Sequence, residues 1–512
     1  MSVTRRDVGT TVARSALLVS TLFAVDKVLG LIRDGVISQT FGASAELDAY
    51  YAAFEVPDGL FNIVAGLAMA TALIPVLSAY TGRRDRENVS LLASTVINWA
   101  LIVVTIASGL AAILAPQIIR LLAPGFDSMR TDLATQLMRL VLLQTVVSSI
   151  SGITMSVLHA HQHFLLPAAA PLAYTLGRIL GAVWLAPELG VFGLAIGGLA
   201  GTVGHFLIQV PGLIHYGIRW RPVLFHPEFA VVLRLMVPRM LCHAVTYVNF
   251  VLPTYFGSRL PVGAIASYEY GWRLMQLPET IIGTALGLTV FPVLSQRANA
   301  GDREGVGATA GWALRLVLAL AIPASVAMVV LGRPLTALVL QRGVFDLAAT
   351  ERVYRALVGF SLGLVTHSLL EVTSRLYYAQ RDMWTPLAAA VVGLAANASI
   401  GWLLLNSLEH AGLAWANALG VGVQVLILII IAQRRLGEAG RWRIGASVIR
   451  ASASALAMGV VVVGASHLLP NAEPFVASLR ELVVGGAAFI IATALIGPAE
   501  LRSLPRTILR RA

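Results

Sequence analysis

The chain has 512 residues, 57% hydrophobic and 12% charged, with a formal net charge of +11 and a mean hydropathy of +0.79. A soluble domain carries about twice that charge fraction, so composition excludes a soluble globular protein and indicates a helical chain that crosses a membrane many times. The lone Cys242 excludes an intramolecular disulfide and a cysteine metal cluster. The surplus arginine lies in short connecting segments, as positive-inside topology and anionic lipid require, and not as nucleic-acid binding would.

The first predicted span, 12–38, opens like a signal peptide, with Arg5, Arg6 and Arg14 before an apolar run. Asp26 and Lys27 interrupt the would-be cleavage region and apolar character then resumes, so we expect an uncleaved helix. Lys27 is the only lysine; the other 36 basic residues are arginines. Asp26, Lys27, Gly30, Arg33 and Asp34 share a sector of roughly 120° on a helix. Four ionisable groups on one face of a spanning helix are expected to face a polar cavity rather than lipid.

Thirteen more windows follow, at 47–80, 91–119, 133–160, 166–186, 190–215, 229–256, 262–296, 309–332, 355–378, 384–406, 411–434, 447–469 and 479–497. In the second, Pro57 lies between Glu55 and Asp58 and predicts a bend, because proline removes a backbone hydrogen bond. His159, His161 and His163 alternate in the loop after the fourth span, but we expect no metal there. Arg178, Arg239 and His243, in the fifth and seventh spans, read as interhelical contacts. Arg273 lies about three turns into the eighth span, too deep to reach headgroups, with Gln276 one turn later. In the tenth span His367, Glu371 and Arg375 share one face; a gate, a proton-sensitive network and a buried structural network all stay open. With both termini inside, the inner loops hold Arg83, Arg84 and Arg86; Arg219 and Arg221; Arg297 and Arg303; and Arg434, Arg435, Arg441 and Arg443.

The chain also repeats at an offset of 217–221 residues: Pro75-Val-Leu-Ser78 recurs as Pro292-Val-Leu-Ser295, and Gly193-Leu-Ala195 as Gly412-Leu-Ala414. Gly125-Phe-Asp127 is echoed by Gly343-Val-Phe-Asp346, and Gln162 and Pro167 by Gln380 and Pro386. A repeat of six helices, an even number, gives both halves the same membrane orientation. The expected fold is therefore all-α and polytopic: fourteen transmembrane helices, in two six-helix lobes related by a parallel repeat, plus two C-terminal helices. The expected boundaries are 1–220, 221–436 and 437–512. Two similar lobes about a central cleft suit alternating access.

Several strings then point one way. Lys27-Val-Leu-Gly-Leu-Ile-Arg33-Asp34, Phe41-Gly-Ala43, and Asp48-Ala-Tyr-Tyr-Ala-Ala-Phe54 with Pro57 are followed by Leu122-Ala-Pro-Gly-Phe126 and Pro167-Ala-Ala-Ala-Pro171. Arg273-Leu-Met-Gln-Leu-Pro278, Arg342-Gly-Val-Phe345, Tyr378-Ala with Asp382, and His410-Ala-Gly-Leu-Ala414 continue the series. Together they resemble the MurJ (MviN) lipid II flippases of the multidrug/oligosaccharidyl-lipid/polysaccharide exporter superfamily, over nearly the whole chain.

The resemblance implies a bacterial inner-membrane transporter, not an enzyme, with no cofactor, acting as a monomer. Its cargo would be lipid II, an undecaprenyl-pyrophosphate disaccharide-pentapeptide, flipped from the inner to the outer leaflet. Matching positions assign Lys27, Arg33, Arg273 and Arg375 to the pyrophosphate. Asp48 matches a family acid; Asp26 and Asp34 beside the first-span cations, Glu55 beside Pro57 and Glu371 beside Arg375 are read with it as a gate or ionic network. There are departures: relatives carry an arginine and a glutamate in the second helix where this chain has Phe61 and Gly66. Of the sodium ligands found in some relatives, Asn397 is present, but the acidic positions are Pro253 and Gly401, so the chain departs from the sodium-binding pattern and the resemblance leaves a sodium site open. No nucleotide-binding loop is present. The competing readings are a flippase for another polyprenyl-pyrophosphate oligosaccharide, a drug antiporter, a non-transporting envelope scaffold and a membrane enzyme. The excess of cations argues against an antiporter for organic cations, and the lack of a recognisable nucleophile–base pair against an enzyme.

Overall fold

The structure, a computed structural model, describes residues 5–64, 67–83, 85–442, 444–468 and 474–495. The described residues form helices joined by short turns, with no strand among them. The first half runs α1 (Arg5–Phe41), α2 (Ala45–Val64), α3 (Leu67–Gly82), α4 (Arg86–Ile113), α5 (Ala115–Leu122), α6 (Ser128–Ala160), α7 (Leu165–Leu180), a π turn at Gly181–Leu185, α8 (Ala186–Leu189) and α9 (Val191–His215). The second runs α10 (Phe229–Gly257), α11 (Ala264–Glu279), a π turn at Thr280–Thr284, α12 (Ala285–Asn299), α13 (Arg303–Val330), α14 (Gly332–Leu340), α15 (Leu347–Ala379) and α16 (Trp384–Leu436). After a 3₁₀ turn at Gly437–Gly440 come α17 (Ile444–Leu468) and α18 (Pro474–Leu495). Nine helical stretches among the described residues are long and apolar enough to cross a membrane.

Where the predicted windows and the helices differ, the cause is local. The window 91–119 divides after Ile113 because Pro116 starts a new short helix, α5. The window 262–296 is interrupted by the π turn that follows Pro278. The windows 384–406 and 411–434 lie on one continuous helical stretch, broken only at Glu409 (φ +53°, ψ −134°).

The repeat is written into the turns as well as the spans. Asp85 and Asp302 both cap a helix by accepting from the backbone N–H three residues on, and so do Asp127 and Asp346. Gln162 and Arg381 both adopt positive φ, as do Gly217 and Gly437. Gly190 (φ +56°, ψ −141°) is the counterpart of Glu409.

By packing, the chain forms two compact units: Met1–Arg259 with Arg342–Val344, and Leu260–Gln341 with Phe345–Ala512. The packing boundary and the expected boundary at 220/221 measure different things, contacts in one case and internal repetition in the other. In the first unit α7 crosses α9 backbone to backbone, with Gly177 and Gly181 set against Gly193, Gly197 and Gly201, the close approach that small residues permit between membrane helices. The same unit holds Arg342–Val344, whose Val344 N–H donates to the Gln39 carbonyl at 3.2 Å. A Cβ on Gly343 (φ +56°) would overlap Gln39. In the second unit Leu314, Val317, Val372, Leu376, Tyr377 and Leu428 form a core among α13, α15 and α16, fastened by a 2.6 Å bond from Tyr377 Oη to the Leu428 carbonyl.

Candidate functional site

In the first unit the ionic cluster of α1 is split among partners. Arg33 pairs with its neighbour Asp34 at 2.8 Å, and Asp34 is buried. Asp26 faces α7, where Thr175 Oγ1 donates to its Oδ1 at 3.1 Å. Lys27 is exposed and makes no hydrogen bond or ion pair to a described residue. Asp48, in the first turn of α2, is buried.

Further along α2, the stretch around Pro57, which lies inside the helix, is clasped from two sides. Tyr247 Oη donates to the Glu55 carbonyl at 2.6 Å and Thr254 Oγ1 to Glu55 Oε1 at 2.5 Å. Thr145 Oγ1 reaches the Pro57 carbonyl at 3.3 Å. Tyr247 and Thr254 are two turns apart on α10 and so share a face. Arg178 is 7% exposed, with its guanidinium carbon 5.6 Å, 5.9 Å and 5.7 Å from the ring centres of Tyr50, Phe54 and Tyr174. Such an aromatic cage is the interhelical contact expected of it.

In the second unit two arginines stand beside carboxylates of their own helices. Arg273 pairs with Glu269 at 3.5 Å, one turn earlier on α11. Arg375 pairs with Glu371 and also donates Nη1 to the Glu371 carbonyl at 2.7 Å. Its side chain is 17% exposed and lies against α12 at Gly287, where any Cβ would overlap the guanidinium. That placement is the opposite of snorkelling toward headgroups. One turn away, Gly283 brings the α12 side of the π turn against Ser368 of α15, and a Cβ there would come within 2.7 Å of Glu279 Oε1. Gly283 and Gly287 thus form a smooth face that admits the polar edge of α15. His367 makes no hydrogen bond to Glu371. Its Nε2 contacts Asn417 Oδ1 at 2.9 Å, and its ring meets the edge of Trp272 at 5.1 Å.

The histidine string is dispersed. His161 Nδ1 meets the Val157 carbonyl at 2.9 Å, His163 Nδ1 meets Tyr216 Oη at 3.3 Å, and His159 packs on Phe164. No three ligand-type side chains gather closely enough for a metal among the described residues. The side chains of Arg239, Cys242 and His243, and all of Gly66, lie outside the described residues.

Residue-level reading of the sequence did not single out Glu269, Glu279, Tyr247, Thr254 or Asn417. Glu269 was detectable, since a carboxylate four residues before Arg273 must share its face. Asn417 and Thr254 carried no comparable signal, because their partners are distant in sequence.

Chemically, Arg33, Arg273 and Arg375 form one pattern. Each cation is held beside a carboxylate, which lowers the cost of keeping it at membrane depth. Arg375 commits only Nη1 to described partners, and a guanidinium fork is suited to bidentate phosphate binding.

A family profile described as lipid II flippase MurJ matches residues 37–483. The lipid II flippase MurJ of Burkholderia cenocepacia is 31% identical over 435 residues, which cover 82% of this chain and 84% of that protein. A probable lipid II flippase MurJ of Vibrio cholerae is 26% identical over 428 residues, 81% and 82% of the two chains. Among solved structures, a lipid II flippase MurJ in an inward closed conformation aligns with a TM-score of 0.78 at 23% identity, covering 94% of this chain and 98% of its own. A multidrug-resistance MATE transporter in an inward-facing conformation aligns at 0.71 with 17% identity, over 81% and 95% of the chains. At these identities the two structures speak for the fold alone.

Proposed function

The chain belongs to the lipid II flippase MurJ family, and from that premise we infer that it carries lipid II from the inner to the outer leaflet of a bacterial inner membrane by alternating access. It does so without enzymatic chemistry. Lipid II presents a pyrophosphate that must pass about 30 Å of hydrocarbon. Lys27, Arg33, Arg273 and Arg375 bind that diphosphate; Asp26, Asp34, Asp48, Glu55 and Glu371 hold or release the cations as the transporter cycles. Fourteen crossings, cytoplasmic termini and a monomer surrounded by membrane lipid complete the reading.

The observation that carries it is the repeated pairing of a half-buried arginine with a carboxylate of the same helix, at Arg33, Arg273 and Arg375. A paired cation is tolerable when the cavity is empty and becomes available when a stronger anion competes. Phe61, at a position that is cationic in the resemblance, favours one variant of the reading, in which the cargo is a different polyprenyl-pyrophosphate oligosaccharide.

The test is rescue of a bacterium depleted of its lipid II flippase. The wild-type chain is expected to restore growth and Arg273→Ala to abolish it, while Arg273→Ala accumulates in the membrane at the wild-type level. A fully active Arg273→Ala refutes the site. Failure of the wild-type chain to rescue, with transport of another polyprenyl-pyrophosphate sugar in reconstituted vesicles, reassigns the cargo.

A further inference from the structure

Away from the paired cations of the spans, the second unit carries a cleft of about 440 Å³ at one end of its helices. Three separate chain reversals line it: the α12–α13 turn with Asn299, Asp302 and Arg303, the α15–α16 turn with Gln380 and Arg381, and the end of α16 with Arg435. By helix parity these turns share one side of the membrane, the side whose loops are rich in arginine.

The three guanidiniums are held differently. Arg435 is fixed: it donates Nη1 to Asp382 Oδ2 at 2.6 Å and Nη2 to Thr385 Oγ1 at 3.0 Å, with its guanidinium carbon 5.6 Å from the Tyr377 ring centre. Arg303 and Arg381 make no side-chain hydrogen bond or ion pair to a described residue. Arg381 stands at φ +61°, a backbone state uncommon for residues other than glycine.

The charges do not cancel. The carboxylates at hand are Asp302, whose Oδ1 already accepts the Gly305 N–H at 2.8 Å, and Asp382, which is committed to Arg435. The C-termini of α12, α15 and α16 add partial negative charge, yet three guanidiniums against two carboxylates leave the cleft cationic. Topology alone asks only for arginines somewhere in these loops. It does not require them to converge on one concavity.

We propose that this cleft is a second anion site, which takes the phosphate of a membrane-lipid headgroup between Arg303 and Arg381 with Arg435 as its fixed wall. The neighbouring chain favours a lipid over free phosphate: Met383 and Trp384 follow Arg381 in the α15–α16 turn and Tyr378 precedes it, all three are exposed, Trp384 to 80%, and such amphipathic side chains form the belt that sits at headgroup level. Basic pockets between helices are a recognised way to hold such headgroups. The site is distinct from the arginines assigned to the cargo and does not depend on that assignment.

The experiment titrates the purified full chain, in neutral detergent, with short-chain phosphatidylglycerol, short-chain phosphatidylcholine or inorganic phosphate, and reads thermal stability. Phosphatidylglycerol is expected to raise the Tm of the wild type and phosphatidylcholine to do so far less. In Arg303→Gln/Arg381→Gln the midpoint concentration is expected to rise about twenty-fivefold, taking about fivefold per lost guanidinium. Arg381→Lys keeps its charge and is expected to stay near the wild type. Arg303→Gln alone, at an exposed position, gives the same reading with a rise of about fivefold if the double variant folds poorly. Stabilisation by inorganic phosphate at equal concentration, lost in the same variant, supports the anion site and assigns it to free phosphate. No shift with either anion, or a shift unchanged in the variants, overturns the proposal.

Discussion

Glu409 is a residue in a place made for glycine. Its backbone (φ +53°, ψ −134°) lies in a region that glycine reaches freely and other residues occupy at a cost of about 1–3 kcal/mol. The first half of the chain has Gly190 at the equivalent turn, with nearly the same angles. What Glu409 gains in return is an ion pair with Arg355 at 3.3 Å, both side chains more than one-third exposed, and such a pair is worth at most about 1 kcal/mol. A glycine here would relieve the strain, lose the pair and give up about 0.4–1 kcal/mol to the freer unfolded chain. Glu409→Gly is therefore expected to stabilise the protein by about 1 kcal/mol, seen as a higher Tm in detergent. A lower Tm would mean that the ion pair outweighs the backbone. The sequence showed the repeat around this turn through Gly193-Leu-Ala and Gly412-Leu-Ala, but not that a glutamate had taken the glycine's place. Positive φ leaves no trace in apolar periodicity.

At the scale of elements, glycines on membrane helices do two different jobs, and the structure separates them. Gly197 of α9 is pressed on the backbone of α7, with a would-be Cβ 2.5 Å from the Gly181 Cα. Backbone cannot yield, so Gly197→Ala must push the two helices apart. Gly287 of α12 instead faces the far end of Arg375, which can swing aside. Gly197→Ala is accordingly expected to cost about 1–3 kcal/mol by overpacking and to lower membrane yield and Tm. Gly287→Ala is expected to leave the Tm close to wild type while displacing Arg375 and cutting transport by about tenfold or more, as misplaced binding groups do. Equal loss of stability in both variants would make Gly287 a packing residue and remove the support it gives to Arg375. The fold was largely legible at this scale: apolar windows located the spans, and the repeat at 217–221 residues anticipated the paired capping aspartates of the two halves. The site was less so. Lys27, Arg33, Arg273 and Arg375 announce themselves as cations in apolar sequence, whereas Thr254, Tyr247 and Asn417 become informative only once helices distant in sequence are packed together.

Across the molecule, the water-facing turns set how stability responds to pH, because their titratable groups are shifted in ways that can be signed. Burial, with the charge of His215 added, holds His163 below the ordinary histidine range. Burial does the same for His226, which Glu228 and Asp85 oppose only in part. Both imidazoles are therefore neutral in the folded protein at a pH where the unfolded chain has begun to protonate. Stability from a histidine with a lowered pKa is fully present above about pH 6.5 and is lost as pH falls toward the folded value. Asp382 acts further down. Burial raises its pKa, but hydrogen bonds from Thr385 and the Arg435 guanidinium outweigh burial and bring it down to about 2. Its contribution is intact above about pH 4 and is lost only between there and about 2. The Tm in detergent is thus expected to be level from about pH 8 to 7 and to decline as pH falls below about 6.5, with a separate step below about pH 4. His163→Gln/His226→Gln is expected to flatten the first decline and leave the second; Asp382→Asn is expected to remove the second and leave the first. A first decline unchanged in the double histidine variant would place the responsible protons within the spans, where burial is deeper and transport itself is carried out.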